Sequence, residues 1–240
     1  MTKIQSVPQF LSPFSAAYWK SAAREVKSVR KLAICAVLIA IRVALKTVYI
    51  PVGESLSIYV GFLVNAVSGA VCGPVLSLIS GAVCDIIGFL IAPNGPFMPV
   101  FTLIEMFCAF SYSICLYSVK ITPAKLLLSK ALVNIFGNVI FTSLALNAFY
   151  GKGVYYYMAT RIAKNILMLP VEVMLLVVLF NALTPALVKM KLIPAPQEKM
   201  KLSVAKVIIV VALTALVVIL TVLYFDKLNT FFKGLLVVSQ

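Results

Sequence analysis

Apolar runs of roughly 18 to 30 residues recur along this 240-residue chain, each long enough to cross a hydrocarbon core as a helix. Hydrophobic residues make up 62% of the sequence, a balance that suits lipid on most faces and no soluble domain of this length. The short alternating segments of a membrane β-barrel are missing from the pattern. The sequence therefore predicts an all-α integral membrane protein, a polytopic helical bundle.

The runs fall at about 32–50, 56–73, 75–92, 97–118, 124–147, 156–185 and 204–225, giving seven expected spans. Between the second and third only Gly73-Pro74 intervenes, which predicts a tight turn at the membrane face. Lysine and arginine set the orientation. Six lie at or before Lys31, three (Lys120, Lys125, Lys130) separate the fourth and fifth runs, and five (Lys189, Lys191, Lys199, Lys201, Lys206) follow the sixth. All fall on one side if the N-terminus is cytoplasmic, as the positive-inside rule requires. The net charge of +14 is thereby accounted for by membrane orientation, without a nucleic-acid partner. Four regions follow: an interfacial N-terminal segment 1–31, a six-helix membrane domain 32–187, a basic linker 188–203 and an additional transmembrane helix with its tail, 204–240. The stretch Pro13 to Lys31 reads as one helix capped by Ser12, with Phe14, Tyr18, Ala22 and Val26 on one face and Trp19 anchoring it to the inner membrane surface.

Several classes of chemistry are set aside. The chain has no histidine, the commonest metal ligand and general base. Its five cysteines sit inside apolar runs, none in a Cys-x-x-Cys pair, and read as small packing residues. No phosphate-binding loop is present, since Gly151-Lys152-Gly153 is too short to serve. Neither a catalytic centre, a metal nor a cofactor is expected, and the chain is not read as an enzyme.

Polar residues inside the apolar runs mark the functional candidates, because a charge at membrane depth costs about 2.5 to 3.5 kcal/mol on insertion scales. Asp85 lies about two turns before the Pro/Gly hairpin at Pro93-Asn94-Gly95-Pro96, and either accepts N–H bonds from a heterocycle edge or neutralises Arg42. Arg42 stands about 200° around its helix from the small-residue stripe Ala36, Ala40 and Ala44, so it should point into the bundle while the stripe lets another helix approach closely. Arg161 and Lys164 either snorkel to the interface or, with Arg42, face an outward cavity suited to an anionic ligand. Asn134, Asn138 and Asn165 offer amides to neighbouring helices or to a polar ligand, whereas Glu105 and Glu172 read as deeper, structural or coupling groups.

Taken in order, Leu56-Ser-Ile-Tyr-Val-Gly-Phe-Leu63, Cys72-Gly-Pro74, Asp85-Ile-Ile-Gly-Phe89, Pro93 to Leu103 and Arg161-Ile-Ala-Lys-Asn-Ile-Leu-Met-Leu-Pro-Val-Glu-Val173 resemble the folate-specific substrate-binding (S) subunit of energy-coupling factor (ECF) vitamin transporters, over residues 15 to 187. The resemblance implies a six-helix subunit of the cell membrane that captures folate or a reduced folate outside. It would then join a transmembrane coupling subunit and two ATP-binding subunits for release inside by toppling. It further implies a binding site around Arg42, Asp85, Asn94, Gly95, Phe97, Asn138, Arg161, Lys164 and Asn165, with Ala36, Ala40 and Ala44 as the docking face. Two departures stand out: Ser57 occupies a connection where relatives often carry arginine, with Arg42 the candidate substitute, and 204–225 exceeds the six-helix plan. The competing readings are an S subunit for another heterocyclic vitamin or precursor, and a proton-coupled carrier using Asp85, Glu105 and Glu172.

Overall fold

A computed structural model describes residues 10–46, 49–53, 56–93, 96–151 and 154–200. The expected seventh span at 204–225, and Asn94 and Gly95 in the hairpin, lie outside the described residues. Helix α1 (Ala16–Glu25) is followed by α2 (Val29–Lys46), strands β1 (Tyr49–Gly53) and β2 (Leu56–Tyr59), and helices α3 (Gly61–Ile91) and α4 (Pro99–Leu116). Next come α5 (Pro123–Leu132), a π-helical stretch Val133–Phe141, α6 (Thr142–Tyr150) and α7 (Val154–Lys189). Four described segments are long and apolar enough to cross a membrane: Gly61–Ile91, Pro99–Leu116, Pro123–Tyr150 and Lys164–Lys189.

The expected turn at Gly73-Pro74 is where α3 folds back on itself. Gly73 has φ 74° and ψ 170°, outside helical space, and divides α3 into arms 61–72 and 74–91. Pro74 opens the second arm, where its missing N–H costs nothing. Contacts along α4 show the reversal. Gly69 lies against Tyr112 and Ser113 and Gly73 against Tyr117, so the first arm runs with α4. Gly81 lies against Glu105 and Met106, and Asp85 bonds Thr102, so the second arm runs against it. A continuous helix would hold Gly61 and Phe89 about 42 Å apart, yet both line one cavity. With α2, the two arms of α3, α4, the continuous rod 123–150 and α7, the bundle has six helical pieces among the described residues.

Three local expectations change. The first two apolar runs do not meet as helices: α2 ends at Lys46, and Tyr49–Gly53 pairs antiparallel with Leu56–Tyr59. β-Branched and aromatic residues such as Ile50, Ile58 and Tyr59 favour this pleated pairing. The N-terminal helix is shorter than Pro13 to Lys31. Its cap is Ser15, whose hydroxyl accepts from the Tyr18 N–H, and the chain breaks before α2 begins at Val29. Phe14 falls outside α1 and is fully exposed, whereas Tyr18 and Ala22 pack under Tyr117. Lys130, expected in a basic loop, is instead buried about two turns into α5.

Among the described residues, cations from the three basic stretches come together. Residues flanking α1, the α4–α5 connection and the chain after α7 meet at one end of the bundle. Leu11 N–H donates to the Ser118 carbonyl, Arg30 to the Met190 carbonyl, and Lys120 pairs with Glu198. Buried Lys31 fastens this basic end, donating to the carbonyls of Val71 and Leu192 while pairing with Glu25 at 3.3 Å.

Candidate functional site

The opposite end of the bundle opens into a cavity of about 630 Å³ bounded by α2, both arms of α3, α4, the rod 123–150 and α7. That volume lies within the range of small-molecule sites. Its walls alternate apolar rings, among them Phe89 and Phe97 with centroids 5.1 Å apart, with charged and amide groups.

Helical geometry delivers each group. On α2, Arg42 lies opposite the exposed Ala36, Ala40 and Ala44, is only 4% exposed and lines the cavity, as its angular offset requires. Its ion partner is Glu105 of α4, which corrects the pairing with Asp85 considered from sequence. Asp85 is held elsewhere, by Lys46 at 3.3 Å and by the Thr102 hydroxyl, which donates to it at 2.8 Å. The register that sets Gly81 directly against α4 decides this, because it brings the next helical turn of the second arm level with Thr102.

A second polar layer lines the wall formed by the π-helical stretch and α7. Lys130 reaches inward from α5, pairs with Glu172 at 3.0 Å and lies 4.2 Å from the centroid of the Phe62 ring. Glu172 accepts from Asn134 at 3.0 Å through its other oxygen. Asn138 donates to Asn134 and Asn165 at 3.2 and 3.1 Å, and Arg161 donates to the Asn138 carbonyl at 3.5 Å. Such amide chains match the interhelical role expected of these asparagines, and they also fix which polar atoms remain turned to the cavity.

Of the residues expected at the site, Arg42, Asp85, Phe97, Asn138, Arg161, Lys164 and Asn165 all line this one cavity. Sequence reasoning passed over Lys46, Asn65 and Lys130 as lining groups and placed Glu105 and Glu172 away from it. One signal was available for Lys130, since it stands seven residues past Pro123 within an apolar run, where a cation needs a partner. The three carboxylates read as candidate proton sites each hold a cation: Asp85 with Lys46, Glu105 with Arg42 and Glu172 with Lys130.

Comparison with known proteins places the chain. The family described as "ECF-type riboflavin transporter, S component" matches residues 26–189. The chain is 30% identical over 112 residues to the folate transporter FolT of Clostridium novyi (strain NT), covering 47% of this chain and 65% of that protein. The chain thus spans just under two thirds of that relative's length. Among solved structures it is similar to the crystal structure of FolT bound with folic acid, with a TM-score of 0.55 and 27% identity over 61% of this chain and 88% of that one. These are transporter subunits rather than enzymes. Because the family match runs from before the start of α2 to the last residue of α7, the chain belongs to the family of ECF-type transporter S components that carries the riboflavin transporter's name.

Proposed function

We propose that the chain is the folate-binding S component of an ECF-type vitamin uptake transporter in the plasma membrane. It captures folate or a reduced folate on the outer side. A transmembrane coupling subunit and two ATP-binding subunits supply the energy for import, since the sequence carries no phosphate-binding loop of its own.

The carrying observation is the charge balance of the cavity. Among the described residues five cations line it (Arg42, Lys46, Lys130, Arg161, Lys164) against three carboxylates (Asp85, Glu105, Glu172). The lining thus carries a formal excess of two positive charges. Folate brings a glutamyl group with two carboxylates, and a guanidinium or ammonium in a partly dry cleft binds such a group strongly. The similarity to folate transporters supports the same ligand.

Riboflavin is the second reading, favoured by the family's description. Its uncharged isoalloxazine and ribityl chain bring no carboxylate to balance the net positive lining. Calorimetry on the purified chain with folic acid, riboflavin and thiamine separates the two. The single tryptophan, Trp19, packs near Phe110 away from the cavity, so its fluorescence is a poorer reporter. Tight one-to-one binding of folic acid alone is expected, nanomolar affinity corresponding to about 12 kcal/mol. Riboflavin binding with folic acid silent would overturn the proposal. Uptake by the chain alone, driven by a proton gradient, would favour the carrier instead.

A further inference from the structure

Two asparagines of the π-helical stretch differ in their access to the cavity: Asn138 lines it and Asn134 does not. Asn134 is 3% exposed and does not line the cavity. Its amide nitrogen donates to Glu172 at 3.0 Å and to the Asn165 carbonyl at 3.3 Å, and its oxygen accepts from Asn138 at 3.2 Å. Both donors and the oxygen are thus committed to protein. Asn138, one turn on, donates to Asn134 Oδ1 and to Asn165 Oδ1 at 3.1 Å, which uses both of its N–H groups. Of these two side chains, among the described residues, Asn138 Oδ1 alone is left over, on a residue that lines the cavity. Arg161 approaches the same residue's carbonyl at 3.5 Å, and Lys164 lines the same wall.

From this arrangement we infer a glutamyl subsite on the π-helix/α7 wall, in which Asn138 Oδ1 accepts the ligand's amide N–H beside Arg161 and Lys164, and Asn134 is the positioning residue that holds Asn138 in that orientation. The inference rests on the folate reading and adds to it which end of the ligand meets this wall. The chemistry is that of an N-acyl glutamate: two carboxylates for the two cations, and between them and the ring system one amide hydrogen needing an acceptor. Proximity selects that hydrogen. An acceptor adjoining Arg161 is within reach of the amide next to the α-carboxylate, whereas the heterocycle at the far end of the ligand is not. The wider turn of the π-helix is the local device, setting Asn134 and Asn138 close enough to bond while both face α7; π-helical turns often mark functional sites.

The test is a binding cycle with two ligands, folic acid and pteroic acid, which keeps the heterocycle and benzoyl ring but lacks the glutamyl group. Calorimetry is run on the full chain in detergent for the wild type, Asn134→Ala, Asn138→Ala and the double variant. Folic acid should bind the wild type at least about tenfold more tightly than pteroic acid. Each single substitution should weaken folic acid by about tenfold, the loss of one hydrogen bond to a charged or well-fixed group, and leave pteroic acid within about twofold. The double variant should be no weaker than Asn138→Ala by more than about twofold, since Asn134 acts through Asn138. Unchanged pteroic acid binding doubles as proof of folding; should Asn134→Ala fail to fold, Asn134→Ser replaces it. Equal losses for both ligands, an additive double variant, or an unaffected Asn134→Ala would overturn the inference. So would a wild type that binds both ligands equally, which leaves the folate reading intact. A wild type that binds neither defeats the folate reading itself.

Discussion

At the scale of single residues, the cavity depends on ion pairs whose members come from different helices. Arg42 is almost wholly buried, so removing Glu105 leaves a guanidinium without compensation in a poorly hydrated place. Glu105→Ala should lower stability by about 3–5 kcal/mol, while the apolar double replacement Arg42→Met with Glu105→Leu should recover most of that loss, because an absent pair costs far less than a broken one. Melting curves in detergent for the three proteins check this, and a double variant no better than Glu105→Ala would contradict it. At the basic end, burial raises the Glu25 carboxyl above its ordinary value of 4.5, with Lys31 opposing. An acid whose value is raised by folding stabilises most when protonated, and that contribution is lost as pH climbs through the raised value. The wild type should therefore gain stability relative to Glu25→Gln as pH falls from neutrality toward 4.5. Denaturation of both proteins across that range measures the difference, and parallel curves would refute it.

At the scale of elements, the reversal inside α3 and its seat on α4 carry the architecture. Gly73 holds a positive φ that a side chain adopts only under strain, and a Cβ there would lie 3.1 Å from the Tyr117 ring. Gly73→Ala should cost about 1–3 kcal/mol. Gly81 differs in kind: its backbone is ordinary helix, but a Cβ would sit 2.9 Å from the Met106 Cα. Gly81→Ala should force the second arm away from α4 and separate Asp85 from Thr102. Its cost is of the order of 1–3 kcal/mol, the usual range for overpacking. A crystal structure or a distance measurement between labelled α3 and α4 distinguishes the two effects, since only the second should widen the helix pair. The sequence made the first feature legible, because Gly-Pro between apolar runs is a local signal. Close approach at Gly81 was not legible, because it depends on which residue of α4 lies opposite.

For the whole molecule, the two sides of α2 divide the labour. Arg42 faces the cavity, and Ala36, Ala40 and Ala44 present an exposed small-residue stripe on the outside of the bundle. In the proposed transporter this stripe meets the coupling subunit. Ala40→Trp should abolish assembly with that subunit and ATP-driven uptake while leaving the folate Kd within about twofold, since residue 40 does not line the cavity. Pull-down of the coupling subunit and calorimetry on the same preparation give the comparison. Loss of ligand binding, or intact assembly, would count against this division.

What the sequence by itself determined is what a single helix determines. Run length and hydropathy set the membrane class, Lys and Arg counts gathered one end, Gly73-Pro74 marked the reversal, and the angle between Arg42 and the alanines fixed which way the arginine points. Periodicity gives each residue an angle about its own helix axis, and burial of charge does the rest. Only the tertiary structure decided the partners: Arg42 with Glu105 rather than Asp85, Asp85 with Lys46 and Thr102, Lys130 drawn from an expected loop to Glu172, and Asn134 committed wholly to its neighbours. Those choices depend on the relative height and rotation of helices distant in sequence, and packing against small residues such as Gly69 and Gly81 sets both.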